Sequence, residues 1–207
     1  MAENKYDDPA FFEKYGQMTR SREGLAGAGE WEALKLLLPE FHGLRVLDMG
    51  CGYGWHCAWA AEQGAASVLG IDLSIRMLEE AERRNANPVI SYKRMALEDA
   101  AFAPASFDVV LSSLAFHYVR DIEELFRRIH TWLAPGGDFV FSAEHPVFTA
   151  EGRRRGREHR LFPGGSLFSG RGTADAVSGG SGGEISSHPD DMASSRVAAG
   201  FRVAGLR

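Results

Sequence analysis

Residues 46–54 read Val-Leu-Asp-Met-Gly-Cys-Gly-Tyr-Gly. No other stretch restricts the fold of this chain so much. Arg45-Val46-Leu47 has strand character, and Gly50, Gly52 and Gly54 make a turn in which backbone can approach a ligand closely. An amphipathic helical segment from about Trp55 to Gln63 follows at once. A strand, a glycine turn and a helix start together form a nucleotide-binding crevice in an open α/β sheet.

The rest of the chain supplies such a sheet. Apolar runs predict strands near 45–49, 67–71, 89–94, 107–112 and 138–143, and helical periodicity predicts helices near 55–63, 74–86 and 121–132. Ser74 and Asp121 stand where N-caps belong. Before the first strand, a helix starts at Pro9 and another runs from Trp31 to Leu38, stopped by Pro39. Strands alternating with helices imply a doubly wound, mostly parallel sheet. Right-handed crossovers then put the carboxyl ends of the strands on one edge.

The spacing narrows the ligand. A dinucleotide site follows G-x-G-x-x-G and aims a helix N-terminus at a pyrophosphate. Here the order is D-x-G-x-G-x-G, and Asp48 before the glycines would repel a pyrophosphate but suit an ammonium group. Asp72 closes the next apolar run, Ser67-Val68-Leu69-Gly70-Ile71, 24 residues past Asp48. That is near the roughly 20-residue offset of a ribose-binding acid. A ligand with both a ribose and an ammonium group fits S-adenosylmethionine better than a nicotinamide cofactor.

Four segments carry a family resemblance: residues 46–54, Gly70-Ile71-Asp72-Leu73-Ser74 with Met77-Leu78, Ser106-Phe107-Asp108-Val109-Val110, and Leu133-Ala134-Pro135-Gly136-Gly137. In this order the chain resembles class I S-adenosylmethionine-dependent methyltransferases of the type-11, ubiquinone- and menaquinone-methyltransferase kind, over residues 5–150. The resemblance implies a Rossmann-like α/β fold and an S-adenosyl-L-methionine site. It divides the chain into an N-terminal helical lid (1–40), a cofactor-binding core (41–150) and an atypical tail (151–207).

Candidate site residues follow. Gly50, Cys51, Gly52 and Gly54 let main-chain groups face the methionine portion, with Asp48 on its ammonium. Asp48 also reads as an acid capping the turn, and Asp72, the candidate for both ribose hydroxyls, as a cap for the helix at 74. Leu73 and Met77 pack near the adenine or serve only the core. Relatives carry an acid at the place of Ala96 for the adenine amino group; with Ala there, backbone at Ala96 and Leu97 together with Glu98 is the fallback. Ser112 and Leu114, at the end of the fourth strand, are cofactor neighbours. Tyr15, with Tyr6, belongs to the lid, and Arg20 is placed to pair with the methionine carboxylate. His117, Glu144 and His145 are the candidates for acid–base or acceptor-binding work, needed only when the acceptor carries a proton. Each of the three also fits a packing or turn role.

Composition sets the outer limits. The 207 residues suffice for one α/β domain, and a 44% apolar and 25% charged composition is that of a globular protein. A net charge of −5 speaks against a general nucleic-acid binder. No apolar run is long enough for a membrane span, and the first residues lack a signal-peptide apolar region. The expectation is a cytoplasmic protein, monomer or homodimer, with a small-molecule acceptor. Cys51 and Cys57 are expected to be reduced, and with His56 alone beside them no metal is expected.

The tail departs from this pattern. It holds half of the 24 glycines, the cluster Arg153-Arg154-Arg155-Gly156-Arg157 and no Trp or Tyr. Gly179-Gly180-Ser181-Gly182-Gly183 reads as linker. Residues 201–206 read as one last strand, leaving the final β-hairpin incomplete. A frameshifted translation over 153–196 or a genuine flexible segment both account for the change. Two other functions remain in view: a catalytically impaired cofactor-binding relative, motivated by the tail, and an NAD(P)-dependent oxidoreductase, disfavoured by Asp48.

Overall fold

The computed structural model describes residues 4–144, 165–172 and 201–206. Its centre is a seven-stranded sheet: β1 (Arg45–Met49), β2 (Ser67–Asp72), β3 (Ile90–Arg94), β4 (Phe107–Ser113), β5 (Leu133–Glu144), β6 (Gly165–Gly172) and β7 (Phe201–Leu206). The spatial order is β3-β2-β1-β4-β5-β6-β7. The first five strands are parallel, and β6 and β7 add antiparallel to the edge. The sequence was expected to contribute one strand here, over 201–206. The second, 165–172, is Gly-Ser-Leu-Phe-Ser-Gly-Arg-Gly, whose glycines hide it from any strand signal. Most of the proposed frameshifted stretch and the linker-like glycine run lie outside the described residues.

The alternation inside each strand assigns the two faces. Val46, Val68 and Val109 pack with Phe41, Cys57, Ala60 and Leu78 under α4 (Trp55–Glu62) and α5 (Ile75–Asn85). Leu111 and Val140 join Trp31 and Leu34 of α3 (Trp31–Lys35) on that face. Leu47, Met49, Val110, Phe139 and Phe141 turn the other way, against Leu125, Phe126, Ile129 and Trp132. Those four residues form the apolar stripe of the amphipathic helix α6 (Ile122–Trp132). Period-two strands and 3.6-period helices thus meet on both sides of one sheet.

The helix ends are set locally. Ser74 caps α5 through Met77 N–H at 3.2 Å, and Asp121 caps α6 through Glu124 N–H at 2.9 Å. Asp8 caps α1 (Pro9–Gly16) in the same way, with Pro9 in the first turn. Two short elements follow, α2 (Thr19–Glu23) and a 3₁₀ turn at Gly24–Gly27. The helix expected over 31–38 stops at Lys35. Among the described residues no helix is long and apolar enough to cross a membrane.

Candidate cofactor site

The glycine turn sits where β1 hands over to α4, beside β4, which marks the crevice edge of a doubly wound sheet. Gly50, Gly52 and Gly54 all have left-handed backbone, with φ of 76°, 53° and 74°. The space around them differs. A Cβ at Gly50 would lie 2.5 Å from Ala115 Cβ, and one at Gly54 would lie 2.3 Å from the Tyr92 hydroxyl oxygen, whereas one at Gly52 would meet nothing within 4 Å. Two of the glycines therefore let neighbouring segments close up, and the middle one opens onto free volume.

The amides of the turn are differently employed than the sequence suggested. Gly50 and Cys51 N–H both donate to the Ile71 carbonyl at 2.8 and 3.0 Å, and Gly54 N–H to the Cys51 carbonyl at 2.8 Å. Gly52 N–H donates to Asp72 at 2.9 Å. These groups hold the turn against β2. What these bonds leave is the room over Gly52, with the acids Asp48 and Asp72 at the ends of the two strands beside it.

Asp72 also accepts from Ser74 N–H at 2.8 Å. A carboxylate has about four lone-pair sites, so acceptor capacity remains for a hydroxyl donor. Burial pushes its carboxyl up, against the backbone hydrogen bonds from Ser74, Gly52 and Leu73. Asp48 is more deeply placed, 1% exposed, with Cys57 Sγ donating to it at 3.2 Å. Its other oxygen, Oδ1, is buried and has no hydrogen-bond partner among the described residues. Burial pushes this carboxyl up to about 7, the Cys57 hydrogen bond opposing and the Asp72 charge adding. An unsatisfied buried carboxylate oxygen is costly, and a ligand cation would relieve it. Cys51 and Cys57 are both free and buried, and burial pushes the Cys51 thiol up to about 11.

The residues expected near the adenine lie on β2, β3 and the turns after them. Met95 N–H donates to the Asp72 carbonyl at 2.9 Å, and Ala96 leads into a 3₁₀ turn, Leu97–Asp99. The Arg128 guanidinium fastens that turn through the carbonyls of Leu97, Glu98 and Ala100. Glu98 reaches the Arg120 backbone N–H at 3.4 Å. Leu73 is half-buried, while Met77 is 1% exposed and belongs to the core.

At the end of β4, Ser112 is inaccessible and its hydroxyl donates to the Met49 carbonyl at 2.8 Å, tying β4 to β1. It supports the site from beneath. Leu114 has φ of 53°, a left-handed conformation that is rare for a branched side chain. Its N–H is held by Ser142, through the carbonyl at 3.0 Å and the hydroxyl at 3.2 Å. Strain of this sort gathers at functional sites. His117 follows in the turn Phe116–Tyr118, its ring centroid 4.0 Å from that of Tyr118. Glu144 ends β5, and His145 lies outside the described residues.

The N-terminal segment, expected to form a lid, packs on the glycine turn, the start of α5 and the turn after β4. Tyr6 packs edge-on against Phe11, Tyr15 and Tyr118, and Tyr15 against Tyr53 of the glycine turn. The Tyr6 and Tyr118 hydroxyls are 2.9 Å apart. Asp7 accepts from Ser74 Oγ at 2.5 Å and Arg76 N–H at 3.3 Å, docking the lid on the start of α5. Arg20 is ion-paired with Glu30, and Glu30 also accepts from the Ser113 hydroxyl at 2.9 Å. Asp7, Glu30 and Tyr118 escaped the sequence reading. Their partners lie far away in the chain, and no local spacing announces them.

A glycine turn after β1 and an acid at the end of β2, on the crevice edge of a doubly wound sheet, are the features of a Rossmann-like domain of the class I S-adenosylmethionine-dependent methyltransferases. Comparison with known proteins agrees. Residues 47–141 match the family model described as a methyltransferase domain. An uncharacterized protein of Haemophilus influenzae is 39% identical over 157 residues, covering 72% of this chain and 62% of that protein. A ubiquinone biosynthesis O-methyltransferase of Mesorhizobium japonicum is 37% identical over 99 residues, 47% of this chain and 39% of the relative. The crystal structure of an S-adenosylmethionine dependent methyltransferase from Mesorhizobium loti superposes with a TM-score of 0.59 at 52% identity, covering 60% of this chain and 57% of that one. The chain spans about three-fifths of the length of the first of these relatives.

Proposed function

We propose that the protein transfers a methyl group from S-adenosyl-L-methionine to a small-molecule acceptor. The observation that supports this reading is the combination of open space above Gly52, the unsatisfied buried oxygen of Asp48 and the remaining acceptor capacity of Asp72, which holds Gly52 N–H. These suit a ligand with an ammonium at one end and a ribose diol at the other. When bound, S-adenosylmethionine supplies an electrophilic methyl on a sulfonium, which an acceptor atom attacks in line.

The residues of the chain do the rest. Asp72 holds the two ribose hydroxyls, and Asp48 takes the ammonium, directly or through water. Leu73 and the backbone at Ala96 and Leu97 flank the adenine. Leu114 and His117 stand at the end of β4, on the acceptor side. The tyrosines of the lid exclude water, which sharpens every electrostatic contact beneath them. Alignment of donor and acceptor contributes up to roughly 7–11 kcal/mol. An acceptor hydroxyl or ammonium must also lose a proton, and His117, with Glu144 or His145, is positioned in the chain to take it.

Calorimetric titration with S-adenosylhomocysteine tests the reading. Wild-type protein is expected to bind it and to ignore NAD. Asp72→Ala is expected to weaken binding at least about tenfold, because hydrogen bonds to a charged group contribute roughly 1.5–3 kcal/mol each. Binding of NAD alone would remove the proposal. Mass-spectrometric screening of metabolite pools for a mass gain of one methylene then identifies the acceptor.

A further inference from the structure

The Arg20–Glu30 pair lies beside the glycine turn, and Arg20 is the residue expected to meet the methionine carboxylate of the cofactor. Gly16 and Gly24, on either side of α2, approach Tyr53 and Trp55 of the glycine turn: added Cβ atoms would lie 3.6 Å from the Tyr53 hydroxyl and 3.1 Å from the Trp55 ring. The α2 residue Ser21 is fixed there too, its carbonyl accepting from Arg84 at 2.9 Å. Glu30 is fixed from the opposite side by Ser113, and the segment after Ser113 touches Gly50 through Ala115. The guanidinium of Arg20 therefore sits between the glycine turn and the end of β4, with a carboxylate of the protein itself already on it.

Glu30 is well buried for an acid, its side chain 11% exposed against 29% for Arg20. Arg20 on α2, His56 on α4, Tyr15 on α1 and Ser113 on β4 face it. Burial pushes its carboxyl up, but the Arg20 charge and the hydrogen bonds from its own N–H and Ser113 outweigh that and leave it below the usual range. His56 is no substitute cation, since burial drives it down to about 4.

We propose that Glu30 is an internal competitor for Arg20, which the carboxylate of the cofactor's methionine portion must displace on binding and which reclaims Arg20 when the product leaves. The proposal rests on the reading of the crevice as an S-adenosylmethionine site. It makes Glu30 a positioning residue that limits affinity. Substrate and product carry the same carboxylate, so a site that held it without competition would release S-adenosylhomocysteine slowly. A protein carboxylate waiting beside Arg20 keeps the free state satisfied and shortens the residence of the product. Only the fraction of molecules with Arg20 free is competent to bind, and the apparent affinity falls by that fraction.

The test compares S-adenosylhomocysteine with 5′-methylthioadenosine, which keeps the adenosine and lacks the amino-acid end. In the full chain, Glu30→Gln keeps the acceptor for Ser113 and removes the charge. It is expected to bind S-adenosylhomocysteine about three- to tenfold more tightly, with a slower off-rate, since freeing Arg20 raises the competent fraction. Its affinity for 5′-methylthioadenosine is expected to stay unchanged. Ser113→Ala, which loosens Glu30 and also drops the bond from the Ser142 hydroxyl, is expected to shift S-adenosylhomocysteine the same way by less. A structural role for Glu30 predicts the reverse sign, weaker binding of both compounds, and that result or an unchanged affinity overturns the proposal. If wild-type protein binds neither compound, the cofactor reading itself falls and takes the proposal with it.

Discussion

Asp48 shows how one side chain couples ligand, pH and stability. Its carboxyl is pushed up to about 7 in the folded protein, well above its ordinary value of 3.8, because the ionised form is buried. A group raised in this way contributes stability at low pH and loses it as pH rises through about 7. Asp48→Asn in the ligand-free protein is therefore expected to melt with wild type at pH 4 and above it at pH 8. The cofactor reverses the sign. An ammonium partner favours the charged form, so wild-type affinity for S-adenosylhomocysteine is expected to rise between pH 6 and 8, and that of the Asn variant to stay flat and lie about tenfold lower. Calorimetry and thermal melting across pH check both halves. The residue type was legible from its place before three glycines. Its depth and its orphaned oxygen were not, since burial comes from Cys57 and the packing of α4.

At the scale of elements, what could be read was what is local. The five parallel strands and α4 to α6 stand within a residue or two of their predicted bounds, except that β5 starts at Leu133, because period, caps and turn glycines are all written in adjacent residues. The N-terminal segment was legible as helix and as an expected lid, but its docking was not, since Asp7 reaches Ser74 and Arg76 and Tyr6 reaches Tyr118 far along the chain. Burial pushes the Asp7 carboxyl up, yet the hydrogen bonds from Ser74 and Arg76 win and keep it below its ordinary value. It acts as a second cap on α5, supplied from another part of the chain. Asp7→Ala is expected to cost about 1 kcal/mol, as lost caps do. It is also expected to speed proteolytic cleavage within residues 5–27 while leaving cleavage elsewhere unchanged. Limited proteolysis followed by mass spectrometry reads this directly, and equal cleavage in both proteins counts against the docking role.

For the molecule as a whole, the densest aromatic packing lies on the α6 face of the sheet, away from the glycine turn. Phe126 is fully buried among Phe116, Phe139 and Phe141 on the α6 side of the sheet. Phe126→Ala is expected to cost about 3–5 kcal/mol, seen as a lower denaturant midpoint. The folded fraction is expected to bind S-adenosylhomocysteine as wild type does, because the glycine turn rests on α4 and β2. A parallel loss of affinity would show that the α6 side shapes the crevice after all. The doubly wound architecture was legible from alternation alone. The antiparallel extension β6–β7 was not, because its glycine-rich strand gains its conformation from pairing with β5.

The hydrogen bond between Tyr6 and Tyr118 spans 112 residues of sequence. A contact of that range forms late, since the chain between must be ordered before the closure entropy is offset. The lid has nothing to dock on until β2, α5 and the turn after β4 are in place. The N-terminal segment is therefore expected to settle late in folding and to open before the sheet does.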